Sequence, residues 1–595
     1  MNSEQLARPT RLARWIDGLN AFGPIFSKEL RVASRRKRNY VLRALYLTIL
    51  TVIVVLSWYS VMDQYHYSKV NRVAQMSQVG ISLLLVVAWF QFGALQLVAP
   101  VLTSSAISDE ISHRTLGALM MTPINSLQIV VGKLFSRVLI VVLLLATSLP
   151  MLAVIRIFGG IEWRLVLAAV TLTFCAALFS AAVSLTFSVF SKRAYMAILM
   201  TLLTLFIFYA LTPWILAWST HNWLDVWDWL PAINPWIVFG ILTQEVTVPG
   251  GITGKFNLAW GVNCGVMLSL TLLLVIFCAT CVRKAALRQA GGEAFLGSAR
   301  KKPPPPQAAT IAQLPPPKRR RRKRGVTDNP VLWRELHNPL IGKGKRAIVV
   351  AVLIVGALIW TYFATGDELD NEWVQVIYAV IFSILTLTVA SVLAGTTITS
   401  EKESRSWDAL LTTAMRPSQI LGGKATGVFR RLSPILTLFF VHVTLFVVVG
   451  IIHPLVFLHL VLIMIGPLLF LVATGTYFGL RMKRTTTAVV TNMGLGLFLW
   501  ALLPLLLAML GAAVARNDDL AELAMVTNPV VLIAVSIAEL ADGNDLSSMR
   551  FDMPSGNLSA IPFTLFLAGM AILYAGAGAA IIAWSCSRFR ELARA

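Results

Sequence analysis

Two pairs of residues have the types and spacing that could do chemistry, and neither forms a complete site. Cys278 and Cys281 have the spacing of half a metal site, but no second cysteine pair or histidine partner accompanies them. Lys133 and Lys424 each follow a glycine, as in a phosphate-binding loop, yet the upstream glycine and the following hydroxyl are missing. We therefore predict a chain without catalytic residues, metal or cofactor of its own, which is not an enzyme by itself.

The composition indicates that lipid is the solvent of this chain. Of its 595 residues, 57% are hydrophobic and 13% charged, and the mean hydropathy is +0.74. In a soluble protein about a quarter of the residues are charged. The net charge of +23 comes from basic segments beside apolar runs, which favours anionic lipid headgroups over nucleic acid as the partner. The first forty residues are polar and basic, so we expect no signal peptide.

Twelve apolar runs are long enough to be membrane spans, which need about 20 residues each. The runs are continuously apolar rather than alternating, which indicates helices and excludes a barrel. The predicted spans are 41–62, 79–103, 134–155, 165–190, 195–218, 259–282, 347–364, 374–398, 432–452, 455–480, 486–514 and 561–585. Basic connecting segments alternate with the acidic segments 365–373 and 516–560. This alternation predicts a multi-pass protein of the bacterial inner membrane with both termini in the cytoplasm.

The chain contains an internal repeat. Residues 107–133 align without a gap with residues 398–424, and an Asn-Pro pair precedes the last span of each half. At the shared spacing of 291 positions, the identical pairs include Glu110 and Glu401, Arg114 and Arg405, Leu119 and Leu410, Lys133 and Lys424, and Pro213 and Pro504. Because both halves begin on the same side, their pseudo-twofold axis runs along the membrane normal.

The predicted fold class is an all-α integral membrane protein with two tandem six-helix transmembrane domains and interfacial amphipathic helices. The domains are residues 41–282 and 347–585. Around them we expect an interfacial N-terminal segment at 1–40, a basic, Pro-rich cytoplasmic linker at 283–329, an interfacial helix at 330–346 and a cytoplasmic tail at 586–595. In the interfacial segments, Glu29 and Glu335 could pair with nearby basic residues or contact a partner.

This order of features resembles the ABC-2-type exporter permeases. The resemblance rests on a basic segment before the first span, a Glu-x-x-x-Arg loop that ends in Gly-Lys between the second and third spans, and the Asn-Pro pair. It implies a permease subunit of an ABC exporter, driven by separate ATPase subunits that bind ATP and Mg in two nucleotide-binding domains. Members usually carry one six-span set and dimerise. Because this chain carries two sets, we expect one copy to form the membrane part.

The resemblance implies a coupling helix, where the ATPase docks, within residues 110–122 and again within 401–413. The acid and base four residues apart could pair on one helical face, and apolar residues would supply anchors. The predicted docking residues are Glu110, Arg114, Leu116, Leu119, Glu401, Arg405, Trp407 and Leu410. The alternative is that these loops only cap helix ends and hold phospholipid headgroups.

The resemblance also implies that the second and fifth spans of each half line a central path. The candidate residues are Phe92, Phe206, Tyr209, Pro213, Leu387, Phe498, Trp500 and Pro504. The two prolines would kink the fifth spans, either as a gate or as a static bend. An apolar, uncharged path favours a lipid-like or amphiphilic substrate over an ion. The polar residues Gln91, Gln96, Asn263 and Asn492 are expected to bond between helices rather than bind cargo.

Other classes of function remain open. An ion-coupled secondary transporter would need charges within the membrane, and His442 and His459 have no counterparts at matched positions. A mechanical device would pass ATPase strokes through the membrane without moving cargo, but no large outer domain is predicted to receive them. An intramembrane enzyme ranks last, because the spans contain no paired carboxylates, metal ligands or serine dyad.

Overall fold

The computed structural model describes residues 26, 29, 37–64, 72–112, 115–121, 124–156, 162–191, 194–220, 230–247, 253–290, 329–337, 345–511, 519–541, 549–553 and 556–594. The first half of the chain is helical at nearly every described residue. Its helices are α1 (Lys37–Gln64), α2 (Arg72–Thr103), α3 (Ser108–Ser112), α4 (Leu116–Met120), α5 (Ser126–Ile155), α6 (Trp163–Phe190), α7 (Ala194–Thr220), α8 (Pro235–Thr247) and α9 (Thr253–Ala290).

The second half follows the same order. Its helices are α10 (Pro330–Leu336), α11 (Lys345–Thr365), α12 (Glu372–Glu403), α13 (Trp407–Leu411), α14 (Pro417–Val449), α15 (Val456–Arg481), α16 (Thr485–Leu497), α17 (Leu503–Leu510), α18 (Asp519–Val526), α19 (Pro529–Ala541), α20 (Ala560–Ser587) and α21 (Phe589–Arg594). A 3-10 turn, Gly366–Asp370, precedes α12, and a π-helical turn, Phe498–Leu502, joins α16 to α17.

Each of the twelve predicted spans lies on a helix for most of its described length, although 432–452 passes the end of its helix at Val449 and 512–514 lie outside the described residues. Ten helices of the described chain are long and apolar enough to cross a membrane, which confirms an all-helical, multi-pass membrane protein. The other two predicted spans lie on α7 and α11, in which the segments 194–209 and 351–365 are described with their side chains and are apolar. For these two, crossing the membrane stays a prediction.

The local sequence explains why the third span of each half begins at the same repeat position. The Gln128 side chain accepts a hydrogen bond from the Asn125 backbone N–H (3.1 Å), and Gln419 does the same for Arg416 (3.0 Å). Each glutamine therefore satisfies a backbone donor that the first turn of the helix leaves without a partner. Pro417 at the start of α14 adds a fixed backbone angle suited to a helix start.

Polar side chains within the spans bond to neighbouring elements, as expected. Gln91 accepts from Ser148 (2.6 Å), Gln96 accepts from Ser180, and the Asn263 amide donates to the Pro231 carbonyl (2.9 Å). Asn492 on α16 donates to the Ser391 carbonyl of α12 (3.0 Å) and accepts from Thr474 of α15 (2.7 Å). These bonds satisfy groups that lipid could not hydrate.

The two halves contact each other crosswise. Helix α7 of the first half packs on α11, and α17 of the second half packs on α1. The fifth span of each half thus lies against the first span of the other. We call the end of the helices that carries α4 and α13 the base, and the opposite end, where α8 and α19 lie, the top.

The top also contains an element that the sequence did not predict. Strands β1 (Arg550–Met553) and β2 (Gly556–Ser559) form an antiparallel hairpin, with Arg550 opposite Ser559. Phe551 of β1 is fully buried and stacks on Phe563 of α20, with 4.2 Å between ring centroids. The Phe551 side chain therefore holds the hairpin against α20, the last span.

Candidate functional site

A buried lysine joins two carboxylates at the base of the second half. The Lys424 ammonium lies 2.7 Å from Glu335 and 2.6 Å from Glu401, and its side chain is 2% exposed. Arg431 also bonds to Glu335, and Arg334 bonds to Glu401. These five residues, which we call the second-half cluster, tie α10 before the first span to the end of α12 and the start of α14.

Two glycines allow the short helix α10 to approach α14 closely enough for these bonds. A Cβ atom on Gly423 would lie 3.1 Å from the backbone nitrogen of Leu332, and one on Gly427 would lie 2.8 Å from Cβ of Glu335. Asn329 caps α10 by accepting from the backbone N–H groups of Val331 and Leu332, both at 3.1 Å. Packing and capping together place Glu335 over Lys424.

The electrostatics of the second-half cluster favour the charged form of Glu335. Burial raises the pKa of its carboxyl, but the nearby cations Lys424, Arg431 and Arg334 together outweigh burial and hold that pKa below the ordinary 4.5. The cluster contains three cations and two carboxylates, so it is a paired charge network rather than an isolated buried charge.

The first half has an equivalent but looser cluster. The Lys133 ammonium lies 3.0 Å from Glu110 and 3.8 Å from Glu29, and Arg137 lies 4.0 Å from Glu29. Its carboxylates are more exposed, since Glu29 and Glu110 show 25% and 28% of their side-chain surface against 5% and 10% for Glu335 and Glu401. We call these four residues the first-half cluster. We predicted that Glu29 and Glu335 either pair with nearby basic residues or contact a partner. The pairing with basic residues is confirmed.

The predicted pair of Glu401 with Arg405 is wrong. Helix α12 ends at Glu403, so Arg405 is not one helical turn beyond Glu401 and cannot share its face. Arg405 instead has a left-handed backbone (φ 57°) and an exposed side chain, in the turn before α13. In the first half, Glu110 bonds to Lys133 and Thr115. Arg114, its predicted partner, lies outside the described residues.

A short helix occurs in each predicted docking loop, but its first apolar residue faces inward. Leu116 of α4 is 1% exposed and Trp407 of α13 is 3% exposed, so neither is an exposed anchor as predicted. Trp407 packs against Phe589 of α21, with 6.1 Å between ring centroids. Leu119 and Leu410, one turn further on, are half-buried. The reason is that a five-residue helix lying on the bundle must bury one face.

The last span of each half supports these short helices. In the first half α9 continues to Ala290, beyond the predicted end at 282, and it packs on α4. In the second half the chain turns at Arg588, and Phe589 of α21 joins the apolar cluster that holds Trp407, Ile420 and Leu480. The predicted tail 586–595 therefore includes a helix packed at the base.

A cavity of about 630 Å³ lies between the two halves. Its wall is formed by α2 and α7 from the first half and by α12, α16 and the π turn from the second. Trp236, Asn528 and Val530 border it from the region of α8 and α19. None of the described residues that line it is charged. The lining is mainly leucine, valine and aromatic side chains, so the cavity suits apolar groups.

Four predicted path residues line this cavity: Phe206, Tyr209, Leu387 and Trp500. Phe92 does not, because it is fully buried within the first half and stacks on Phe239 at 4.4 Å between centroids. Phe498 is 43% exposed and does not line the cavity, so its prediction is wrong too.

The prolines of the fifth spans lie on helical segments. Pro504 is at the start of α17, directly after the π turn, and both features are ones at which helices kink. Pro213 lies within the range of α7. Pro504 is not among the described residues that line the cavity, and the side chain of Pro213 lies outside the described residues.

The sequence reasoning missed the role of the two buried lysines. The repeat had paired Lys133 with Lys424, and each follows a glycine at the start of an apolar span. A lysine at such a position needs a buried carboxylate partner. The signal for that partner is a second repeat, Pro-x-x-x-basic-Glu-Leu, which begins at Pro24 and Pro330 and contains Glu29 and Glu335.

The architecture defines a multi-pass, all-helical membrane permease with a cavity between two halves. The comparisons with known proteins agree with this class: residues 24–287 match the family model described as ABC-2 family transporter protein. Over this first half the chain is similar to that family. Its members are membrane components of transporters and work with ABC ATPase subunits in general. No curated protein matches the chain.

Proposed function

We propose that this chain is the permease subunit of an ABC exporter and moves an uncharged, lipid-like or amphiphilic substrate through the cavity between its halves. The observation that carries the proposal is that one cavity is walled by the second and fifth spans of both halves. A relative movement of the halves would change its shape and its access. ATP would be bound and hydrolysed by separate ATPase subunits, with one permease chain for two nucleotide-binding domains.

The chemistry of the cavity supports this class of substrate. Its wall is mainly apolar, but the buried polar groups of its lining that have no hydrogen-bond partner among the described residues include Gln96 Nε2 and Ser391 Oγ. Gln96 uses its Oε1 to accept from Ser180, which leaves the amide N–H₂ to donate elsewhere. Unpaired buried donors are costly, and a bound ligand with an acceptor oxygen would satisfy them. An uncharged amphiphile provides both the apolar part and the acceptor.

The base supports the proposed coupling to an ATPase. Helices α4 and α13 lie at matched positions in the two loops; α4 packs on the last span of its half, and α13 packs through Trp407 on α21, which follows the last span of the second half. Arg405 is exposed in a left-handed conformation, which costs about 1–2 kcal/mol for a residue other than glycine. Such strain in an exposed loop is common at functional contacts. The charged clusters tie each docking loop to the segment before the first span.

The proposed topology places the base and both termini in the cytoplasm, in the bacterial inner membrane. The two six-span domains, 41–282 and 347–585, form an internal pseudo-dimer, and the basic segment within 283–329 is a cytoplasmic linker. The matched contacts of the two halves support this tandem arrangement.

The test begins with the complex purified in detergent from the membranes of its own cells. The complex is reconstituted into liposomes that contain a fluorescent phosphatidylcholine, and lipid movement is measured with and without ATP. We expect ATP-dependent movement. Leu387→Trp, which fills the cavity, should reduce it strongly, whereas Leu353→Trp on the lipid-facing surface of α11 should not.

Three results would contradict the proposal in different ways. Movement that needs no nucleotide but stops when a proton gradient is collapsed would indicate a secondary transporter. ATP hydrolysis without movement of this zwitterionic lipid or of uncharged amphiphiles would favour the mechanical device. A complex without any ATPase subunit would exclude an ABC exporter.

A further inference from the structure

The prolines in the fifth spans each leave a backbone carbonyl without its usual partner. In an unbroken α-helix, the carbonyl of residue 209 would accept from the N–H of residue 213, and that of residue 500 from residue 504. Proline occupies both positions 213 and 504 and has no N–H. In a membrane these carbonyls must find another donor.

In both halves the donor is the asparagine of the Asn-Pro pair. The Asn234 amide donates to the Tyr209 carbonyl at 2.8 Å, and the Asn528 amide donates to the Trp500 carbonyl at 2.8 Å. The two asparagines are 3% and 9% exposed. Each side chain therefore replaces the hydrogen bond that the proline removed.

The same two side chains also begin the helices at the top. Asn234 Oδ1 accepts from the backbone N–H of Trp236 at 3.0 Å, and Asn528 Oδ1 accepts from that of Val530 at 3.0 Å. These N–H groups are in the first turns of α8 and α19, so the asparagines act as N-caps. One amide group thus bonds to the fifth span with its nitrogen and to the top helix with its oxygen.

A donor from the last span holds the same turn in each half. Asn263 of α9 donates to the Pro231 carbonyl at 2.9 Å, and the Tyr574 hydroxyl of α20 donates to the Thr527 carbonyl at 2.8 Å. Trp500 donates its indole N–H to the Tyr574 hydroxyl at 3.0 Å. The turn before each top helix is therefore fastened to the fifth and sixth spans.

These bonds are in the wall of the central cavity. Tyr209 and Trp500, whose carbonyls accept the bonds, line it, as do Trp236, Asn528 and Val530. We propose that Asn234 and Asn528 are positioning residues that latch the top helices α8 and α19 onto the fifth spans, at the carbonyls of Tyr209 and Trp500, and so close the cavity at the top. The role of this latch in transport rests on the proposed function. The attachment of the top helices to the fifth spans does not.

The first experiment tests the latch without any transport measurement. Asn528→Ala removes both bonds, and Pro504→Ala returns an N–H that can pair with the Trp500 carbonyl. Thermal unfolding of the purified full chain in detergent should give a midpoint about 2–4 °C lower for Asn528→Ala. The double variant Asn528→Ala/Pro504→Ala should recover most of this shift, a coupling that a double-mutant cycle measures.

Asn371→Ala is the matched control, because Asn371 caps α12 by accepting a 3.0 Å bond from the Trp373 N–H, as Asn528 caps α19, without a described hydrogen bond to a fifth span. Pro504→Ala should not rescue it. If Asn528→Ala fails to fold, the pair Asn234→Ala and Pro213→Ala provides the same cycle in the first half. Equal rescue of the control, or no rescue in either half, would overturn the latch.

The second experiment tests closure of the cavity. A cysteine is introduced at Leu387, which lines the cavity and is 5% exposed, and its labelling by a water-soluble maleimide is timed in nanodiscs. The parent chain without this cysteine gives the background from the five native thiols. Asn528→Ala should raise the labelling rate at least tenfold, and Asn371→Ala should leave it unchanged. An unchanged rate in Asn528→Ala, together with positive coupling in the first experiment, would show that the latch only stabilises the fold.

Discussion

The ammonium of Lys424 lies 2.7 Å from the carboxylate of Glu335, although 89 residues separate them along the chain. This bond fixes α10 to the start of α14 and, through Glu401, to the end of α12. Because all three side chains are at most 10% exposed, water cannot replace a lost partner. A substitution in the second-half cluster should therefore disturb the packing of the base more than one elsewhere.

Removing the buried lysine should strongly destabilise the second half. Lys424→Met leaves two buried carboxylates without their shared cation, and breaking a buried pair in this way costs about 3–5 kcal/mol. Lys133→Met is the matched control and should cost less, because Glu29 and Glu110 are partly hydrated. Chemical unfolding of the two variants in detergent measures the difference. Equal losses would mean that burial of the carboxylates does not matter.

The second-half cluster should also make the stability depend on pH in the acid range. The pKa of Glu335 is below 4.5 in the folded chain, so its contribution is complete above pH 4.5 and is lost as the pH falls through the folded pKa. Glu401 and the three cations of the cluster are present in both chains compared, so the difference between the two curves reports on Glu335. Glu335→Gln should therefore be less stable than the parent at pH 7 and show a flatter loss towards pH 3. If the stability of the parent and that of Glu335→Gln fall in parallel towards pH 3, Glu335 is not paired in the folded chain.

Two glycines of α14 should respond in opposite directions to alanine. Gly427→Ala places a methyl group 2.8 Å from Cβ of Glu335, and overpacking of this kind costs about 1–3 kcal/mol. Gly422 is exposed with nothing within 4 Å of a new Cβ, so Gly422→Ala should stabilise the helix by about 0.5–1 kcal/mol. Thermal unfolding shows whether each variant raises or lowers the unfolding midpoint. If both are stabilising, α10 does not pack on Gly427.

Arg405 and Trp407 should separate docking from folding. Arg405→Glu changes an exposed charge and should leave the unfolding midpoint unchanged but reduce the amount of ATPase that co-purifies. Trp407→Ala opens a cavity against Phe589 and should cost about 3–5 kcal/mol. Arg590→Glu, an exposed charge at the same end, is the control for a general effect of charge. Undiminished co-purification with Arg405→Glu would exclude Arg405 from the docking surface.

The spans could be predicted because each depends on a local property, a continuous apolar run of about 20 residues. The positions of α4 and α13 followed from a family resemblance in the two loops. The orientation of their side chains did not, because it depends on what covers them: Phe589, which buries Trp407, is 182 residues away. The prediction that Phe92 lines the path was wrong for the same reason, because an aromatic residue in a span can face either a cavity or a partner ring.

The charged clusters illustrate a different limit. The sequence supplied acids and bases at repeated positions, and spacing within one helix suggested local pairs such as Glu401 with Arg405. The helix end at Glu403 removed that pair, and the long-range partner Lys424 replaced it. A rule that buried lysines require carboxylates would have identified the need for a partner but not which carboxylate supplies it.

The unequal exposure of Glu29 and Glu335 has a consequence for how this chain can change over generations. Two identical subunits encoded by one gene receive every substitution twice, so both sides of their assembly must stay alike. Here the looser and the tighter cluster are encoded separately within one polypeptide. Each half of the chain can therefore evolve a looser or a tighter cluster of its own. A single codon change alters one half and leaves the other half as it was.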